Sequence, residues 1–172
     1  MQMPQLLKVQ NTAPVAIARP ALHELAVAYS MEQFDLKGRC PPTWIIAAGH
    51  NVAWFVTDWE DERQKVMYTG CMAALMAQVS ASAYSMVTEA WITTVRGKSE
   101  EEIANIGSLA DLPDNEREDV LLVSTFDRAG DFDLTRFLVT IRRPIGPNFL
   151  GPRVDEEIGD FQGRMWNLLR AA

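Results

Sequence analysis

The chain has 172 residues, 48% of them apolar and 23% charged, with 23 acids against 16 Lys plus Arg for a formal charge of −7. Those proportions are ordinary for a globular protein and exclude a collagen-like repeat, a bulk disordered chain and a disulfide-stapled miniprotein. A single domain over residues 20–172 is expected, preceded by an N-terminal arm over 1–19; a chain of about 150 residues buries roughly 70% of its unfolded surface.

Residues 1–19 are loosely patterned and interrupted by Pro4 and Pro14, so they read as an arm or a short strand. Pro20 suits the first position of a helix, where a missing N–H has no intrahelical partner to lose. Leu22, Leu25, Ala26 and Tyr29 share one face, and Lys37-Gly38 supplies a stop, with Gly available for a left-handed cap. The first helix is therefore expected over about 20–34.

Trp44–Ala48 and Val52–Thr57 are short apolar runs around Gly49-His50-Asn51, a hairpin signal in which Trp44 and Trp54 would face each other. Thr57 and Asp58, with Glu60 and Asp61 three residues after each, predict a capping box. Met67, Gly70, Cys71, Ala74, Leu75 and Gln78 would form the inner face of a second helix over about 59–79. Tyr84–Thr94, Val120–Phe126 and Phe132–Ile141 read as strands, the last two joined by a turn at Asp127–Asp131. Ile158, Phe161, Met165, Leu168 and Leu169 define a C-terminal amphipathic helix over about 155–170, with Asp155, Glu156 and Glu157 at its start.

The expected order is α-β-β-α-β-β-β-α, an α+β domain with a largely antiparallel sheet of about five strands and three helices. Val120–Phe126 is apolar on both alternating sets, so it must be covered on both faces, by helices or by a second copy of the chain. Five Trp and eight Met residues add to an expectation of homo-oligomers.

Residues 96–119 stand apart. They hold eight acids and three bases, which is five of the seven net negative charges. A long connection of this kind is often functional. Glu100, Glu101, Glu102, Asp111, Asp114 and Glu116 are the partner-contact candidates, and the expected partner is a basic protein, because negative charge steers association with one. Direct nucleic-acid binding is disfavoured, since phosphates call for a basic face.

Chemistry-bearing motifs are sparse. His23 and His50 are the only histidines, and they read as structural or solvated; no CxxC or HExxH occurs, so no metal ligands are assigned. No Gly-rich phosphate loop and no G-x-S-x-G elbow is present, so neither catalytic residues nor a cofactor are assigned. Cys71 reads as a core residue of the second helix, and the two cysteines suggest a reducing, cytoplasmic compartment. No apolar run reaches the roughly 20 residues of a membrane span, and MQMPQLLKVQ does not look like a secretory signal. Glu89 shares a strand face with Val87 and Trp91 and should find a cation there. Arg136 and Arg117 are the candidates for a register-fixing pair. The alternatives are a small hydrolase or metal-assisted enzyme using Glu89 with His50 or the acidic loop, and a structural component of a larger assembly.

The run Ser85-x-Val87-x-Glu89-Ala90-Trp91, a polar insert, then Pro113-x-x-x-Arg117-Glu118-x-Val120-Leu121-Leu122-Val123 resembles a pattern in small bacterial and bacteriophage proteins of unknown function. The resemblance spans about residues 20–141. It implies a bacterial or phage origin and carries no activity, cofactor or catalytic residue.

Overall fold

The computed structural model describes residues 3–93, 112–113, 116–140, 148–156 and 168–169. Among them are seven strands and two helices: β1 (Gln5–Asn11), α1 (Arg19–Lys37), β2 (Thr43–Ala48), β3 (Asn51–Val56), α2 (Glu62–Gln78), β4 (Ala83–Ile92), β5 (Glu118–Asp127), β6 (Phe132–Thr140) and β7 (Phe149–Glu156). All seven strands join one antiparallel sheet in the order β1-β3-β2-β4-β5-β6-β7. The expected five strands and three helices are corrected accordingly. The two additional strands are its edges, β1 and β7. Asp155 and Glu156 end β7 instead of opening a helix; the rest of the predicted C-terminal helix, bar Leu168 and Leu169, lies outside the described residues.

The topology explains why each face of the sheet has its own helix. β1 and β2 both pair antiparallel with β3, so they are parallel to each other and α1 is the crossover between them. β3 and β4 likewise flank β2, with α2 as crossover. Both connections step two places in the same direction along the sheet but leave from strands that run oppositely. The strong preference for right-handed crossovers therefore puts the two helices on opposite faces. The core follows suit. Leu22, Ala26, Phe34, Ile45, Trp54, Val87, Leu121 and Phe137 pack on the α1 side. Trp44, Ile46, Met72, Met76, Tyr84, Met86, Leu122 and Phe126 pack on the α2 side, joined by Leu169. Each fully buried side chain of this size contributes about 1.5–3 kcal/mol. The doubly apolar Val120–Phe126 run is thus buried on both faces within its own chain, under α1 on one side and in the cluster of α2 and Leu169 on the other.

Local signals fix most boundaries. Pro20 lies in the first turn of α1, and Gly38 closes it at φ 67°, donating its N–H to Phe34 O. Only Gly adopts that left-handed geometry at little cost. Gly49, at φ 57°, opens the two-residue β2–β3 turn. Trp44 and Trp54 do not face each other. Trp44 pairs in register with Phe55 and Trp54 with Ile45, so the two indoles lie on opposite faces. On the α2 side, Trp44, Tyr84, Phe126 and Phe132 form a row across four strands with centroid spacings of 5.9, 5.2 and 5.6 Å. Such cross-strand aromatic pairs add to plain burial.

α2 starts later and sits rotated from its predicted setting. Its cap is Asp61, whose carboxylate accepts from Gln64 N at 2.8 Å, while Gln64 Oε1 accepts from Glu60 N at 2.9 Å. Tyr68, Met72 and Met76 face the sheet. Gly70, Ala74 and Gln78 are exposed and Cys71 is half-buried, so the predicted inner face is largely the outer one. The helix carries small or apolar residues nearly all round, so periodicity could not single out its buried side.

Candidate functional site

The inner stripe of α1 is interrupted by two polar residues, His23 and Ser30. Ser30 bonds back to Val27 O. His23 instead reaches the sheet, where three strands present hydroxyls to it. Ser85 on β4 is in register with Thr125 on β5, and Thr135 on β6 is in register with Asp155 on β7. His23 Nδ1 lies 2.8 Å from Thr125 Oγ1 and Nε2 lies 2.8 Å from Thr135 Oγ1. Ser85 Oγ lies 2.7 Å from Thr125 Oγ1, and Thr135 Oγ1 donates to Asp155 Oδ1.

The carboxylate at the end sets the direction of every proton in this chain. Asp155 can only accept, so Thr135 donates to it and must accept from His23 Nε2–H. A neutral imidazole then accepts at Nδ1 from Thr125, which in turn accepts from Ser85. Burial lowers the His23 pKa, against a smaller opposing pull from Asp133, and so maintains the neutral tautomer that the chain requires.

At its outer end the chain meets a charged network. Arg153 donates from Nε to Asp155 Oδ1 at 2.7 Å and forks onto Glu24 at 2.8 and 2.6 Å. That guanidinium holds both carboxyls below their usual range, with the Thr135 hydroxyl assisting at Asp155. Arg19 joins Asp133 at 2.7 Å and Asp127 at 3.2 Å. Between α1, β6 and β7 lies a cleft of about 440 Å³ whose polar wall is His23, Glu24, Asp133, Arg153, Asp155 and Glu156. Three guanidiniums engage these four carboxylates: Arg153 holds Glu24 and Asp155, Arg19 holds Asp133, and Arg136 holds Glu156. Asp133 Oδ2 has no hydrogen-bond partner among the described residues. Nor do three His, Cys, Asp or Glu side chains among those residues converge as metal ligands would.

The residues singled out from sequence lie elsewhere. Glu89 accepts from Cys40 N at 2.6 Å, so its partner is a backbone donor just past α1 rather than an arginine. Its charge, after burial, helps push the Cys40 thiol up to about 12. Arg136 projects from the opposite face, since it is in register with Leu122 while Glu89 is in register with Leu121. It pairs with Glu156 and, at 3.9 Å, with Glu118. Arg117 lies over the Trp91 ring at 4.4 Å, and Trp91 Nε1 donates to Asp119 at 2.7 Å. Glu89 and His50 do not meet. Glu89 lies past the Thr43 end of β2 and His50 lies in the turn after Ala48, with the six residues of β2, about 20 Å, between them. Glu116 is exposed, and its carbonyl accepts from Thr93. Glu100, Glu101, Glu102, Asp111 and Asp114 lie outside the described residues.

Sequence reasoning did not find the His23 chain. Its signal was present as hydroxyls at Ser85, Thr125 and Thr135 on the inward side of their strands, but it becomes legible only once the registers are known. No family profile, no curated protein and no solved structure matches this chain. No helix among the described residues is long and apolar enough to cross a membrane.

Proposed function

We propose that the protein is a non-catalytic interaction module of the bacterial cytoplasm, possessing an acidic docking site for a lysine or arginine side chain of a basic protein partner. The observation that carries this reading is the cleft between α1, β6 and β7. It gathers four carboxylates, of which Glu24 and Asp155 remain 61% and 62% exposed beside their shared arginine. A guanidinium or ammonium group of the partner would donate to those exposed oxygens, and charge-assisted bonds are the stronger kind. His23 supports the same reading as a structural tie, 5% exposed and bonded at both ring nitrogens to threonine hydroxyls of two strands. The acidic 96–119 segment would add long-range steering toward the same class of partner.

Titration with a hexa-arginine peptide, followed by amide NMR shifts, tests this. Shifts should centre on Glu24, Asp133 and Glu156, and Asp133→Asn with Glu156→Gln should weaken binding by about tenfold. Binding unaffected by those substitutions, or no binding at low salt, refutes the assignment. Deleting residues 98–112 separately measures the contribution of the loop.

A further inference from the structure

Each face of the sheet packs against a helix, but among the described residues nothing pairs with the outer edge of β1. Every residue of β1 is exposed. Leu6, Leu7 and Val9 are 46–57% exposed on this single strand, and Met3 just before it is 66% exposed. No strand pairs with its outer side among the described residues. An edge of this kind is normally blunted by charge, proline or a covering element. β1 has a register shift between Leu6 and Lys8, and one charged side chain, Lys8. That charge does not guard the edge, because its ammonium is drawn back 4.2 Å above the Trp54 ring.

We propose that β1 is a self-association edge, and that two copies of the chain pair antiparallel through it, β1 against β1, to continue the sheet across a two-fold axis. Three observations select a second copy as the occupant. First, residues 1–18 contain no acid, although the chain as a whole carries −7, and their one charged side chain, Lys8, is turned onto Trp54, so little like charge is brought together at the edge. Second, the acidic cleft lies at β6–β7, six strand spacings or about 29 Å away, several screening lengths at physiological salt. Pairing at β1 points the two clefts in opposite directions. Third, the other edge refuses an incoming strand. β7 carries Pro152, which has no N–H to donate, and beside it the charged Arg153, Asp155 and Glu156. Head-to-tail β1–β7 addition is therefore blocked, and the assembly closes at two.

A pair of seven-residue strands is a small interface, so the association is weak and concentration-dependent. Self-association at β1 does not depend on the cleft's partner, and substitutions at Asp133 or Glu156 should leave it unchanged.

Light scattering on the full chain from about 5 to about 500 μM brackets the affinity of an interface in this size class. The mass should climb from 19.3 kDa toward twice that value and stop there. Leu7→Lys with Val9→Lys should hold the chain monomeric throughout, weakening association by about 100-fold or more through like-charge contact at the centre. Val66→Lys on the exposed side of α2 should change nothing. Hydrogen exchange on the unaltered chain provides a measurement free of folding effects, and β1 amides should slow by about tenfold or more between the concentration extremes. A monomer at every concentration, growth past the dimer, undiminished association of the double variant, loss of association in the α2 variant, or β1 exchange independent of concentration would each overturn the assignment.

Discussion

β1 and β7 close the same sheet and could hardly be more different as edges. β7 is fastened and guarded. Pro152 removes a donor, Arg153 clamps Asp155 and reaches across to Glu24 on α1, and Asp155 anchors the hydroxyl–imidazole chain under that helix. β1 has three exposed apolar side chains, Leu6, Leu7 and Val9, and one cation, engaged with Trp54. Polar groups at a sheet edge thus serve two purposes at once. They tie the strand to its own domain, and they deny it to strangers. Where they are missing, the edge is held among the described residues by its neighbour β3 and by Lys8 between Trp54 and Tyr29, and it remains available outward.

The contrast can be tested from both sides. The largest effect should come from Trp54→Ala, which empties the fully buried site beneath Lys8 and should cost about 3–5 kcal/mol in urea unfolding. Next is Thr135→Val, near-isosteric, which strands His23 Nε2–H and severs the link to β7. A loss of about 1–3 kcal/mol is expected, the usual consequence of leaving a buried donor unpaired. A loss below a few tenths would mean that the chain is ornamental.

Acid should act in two stages, both in the same direction. Folding lowers the His23 pKa from 6.5, so the unfolded chain binds more protons as pH falls through that value and stability declines. Glu24 and Asp155 are likewise lowered, from 4.5 and 3.8, so their stabilisation is present above those values and is lost as pH falls below them. Melting temperature against pH should show both stages in the unaltered protein. His23→Gln should remove the upper one, and Arg153→Gln should flatten the lower. Because Arg153 is solvated, that same substitution at neutral pH should cost about 1 kcal/mol or less. Smallest of all, Lys8→Met should cost about 0.5–1 kcal/mol, the range of an exposed cation–π contact.

The sequence made parts of this legible because their causes are local. Pro20 and Gly38 bracket α1, and Gly49 marks the first hairpin, since each residue supplies a backbone geometry that its neighbours cannot. The edges were less legible, for opposite reasons. β1 could be read only as an arm or a short strand, because it buries nothing and lacks the alternation that betrays a strand. β7 hides behind Pro152 and a run of acids that imitates a helix start. The α2 register failed because small apolar residues surround that helix on every side. Glu89 was assigned an arginine because side-chain pairing is the only kind a sequence suggests, whereas its partner is a peptide N–H 49 residues away. The candidate site failed to appear for a related reason: His23, Thr125 and Thr135 are more than a hundred residues apart from helix to sheet and are united only by topology.

The Lys8 ammonium above Trp54 has an optical consequence. A full positive charge 4.2 Å from an indole perturbs its excited state, so the emission of this one tryptophan should report whether the first strand is seated. A difference spectrum between the native chain and the methionine variant at position 8 would isolate that signal from the other four tryptophans. The molecule then carries its own gauge of strand docking, with no dye attached.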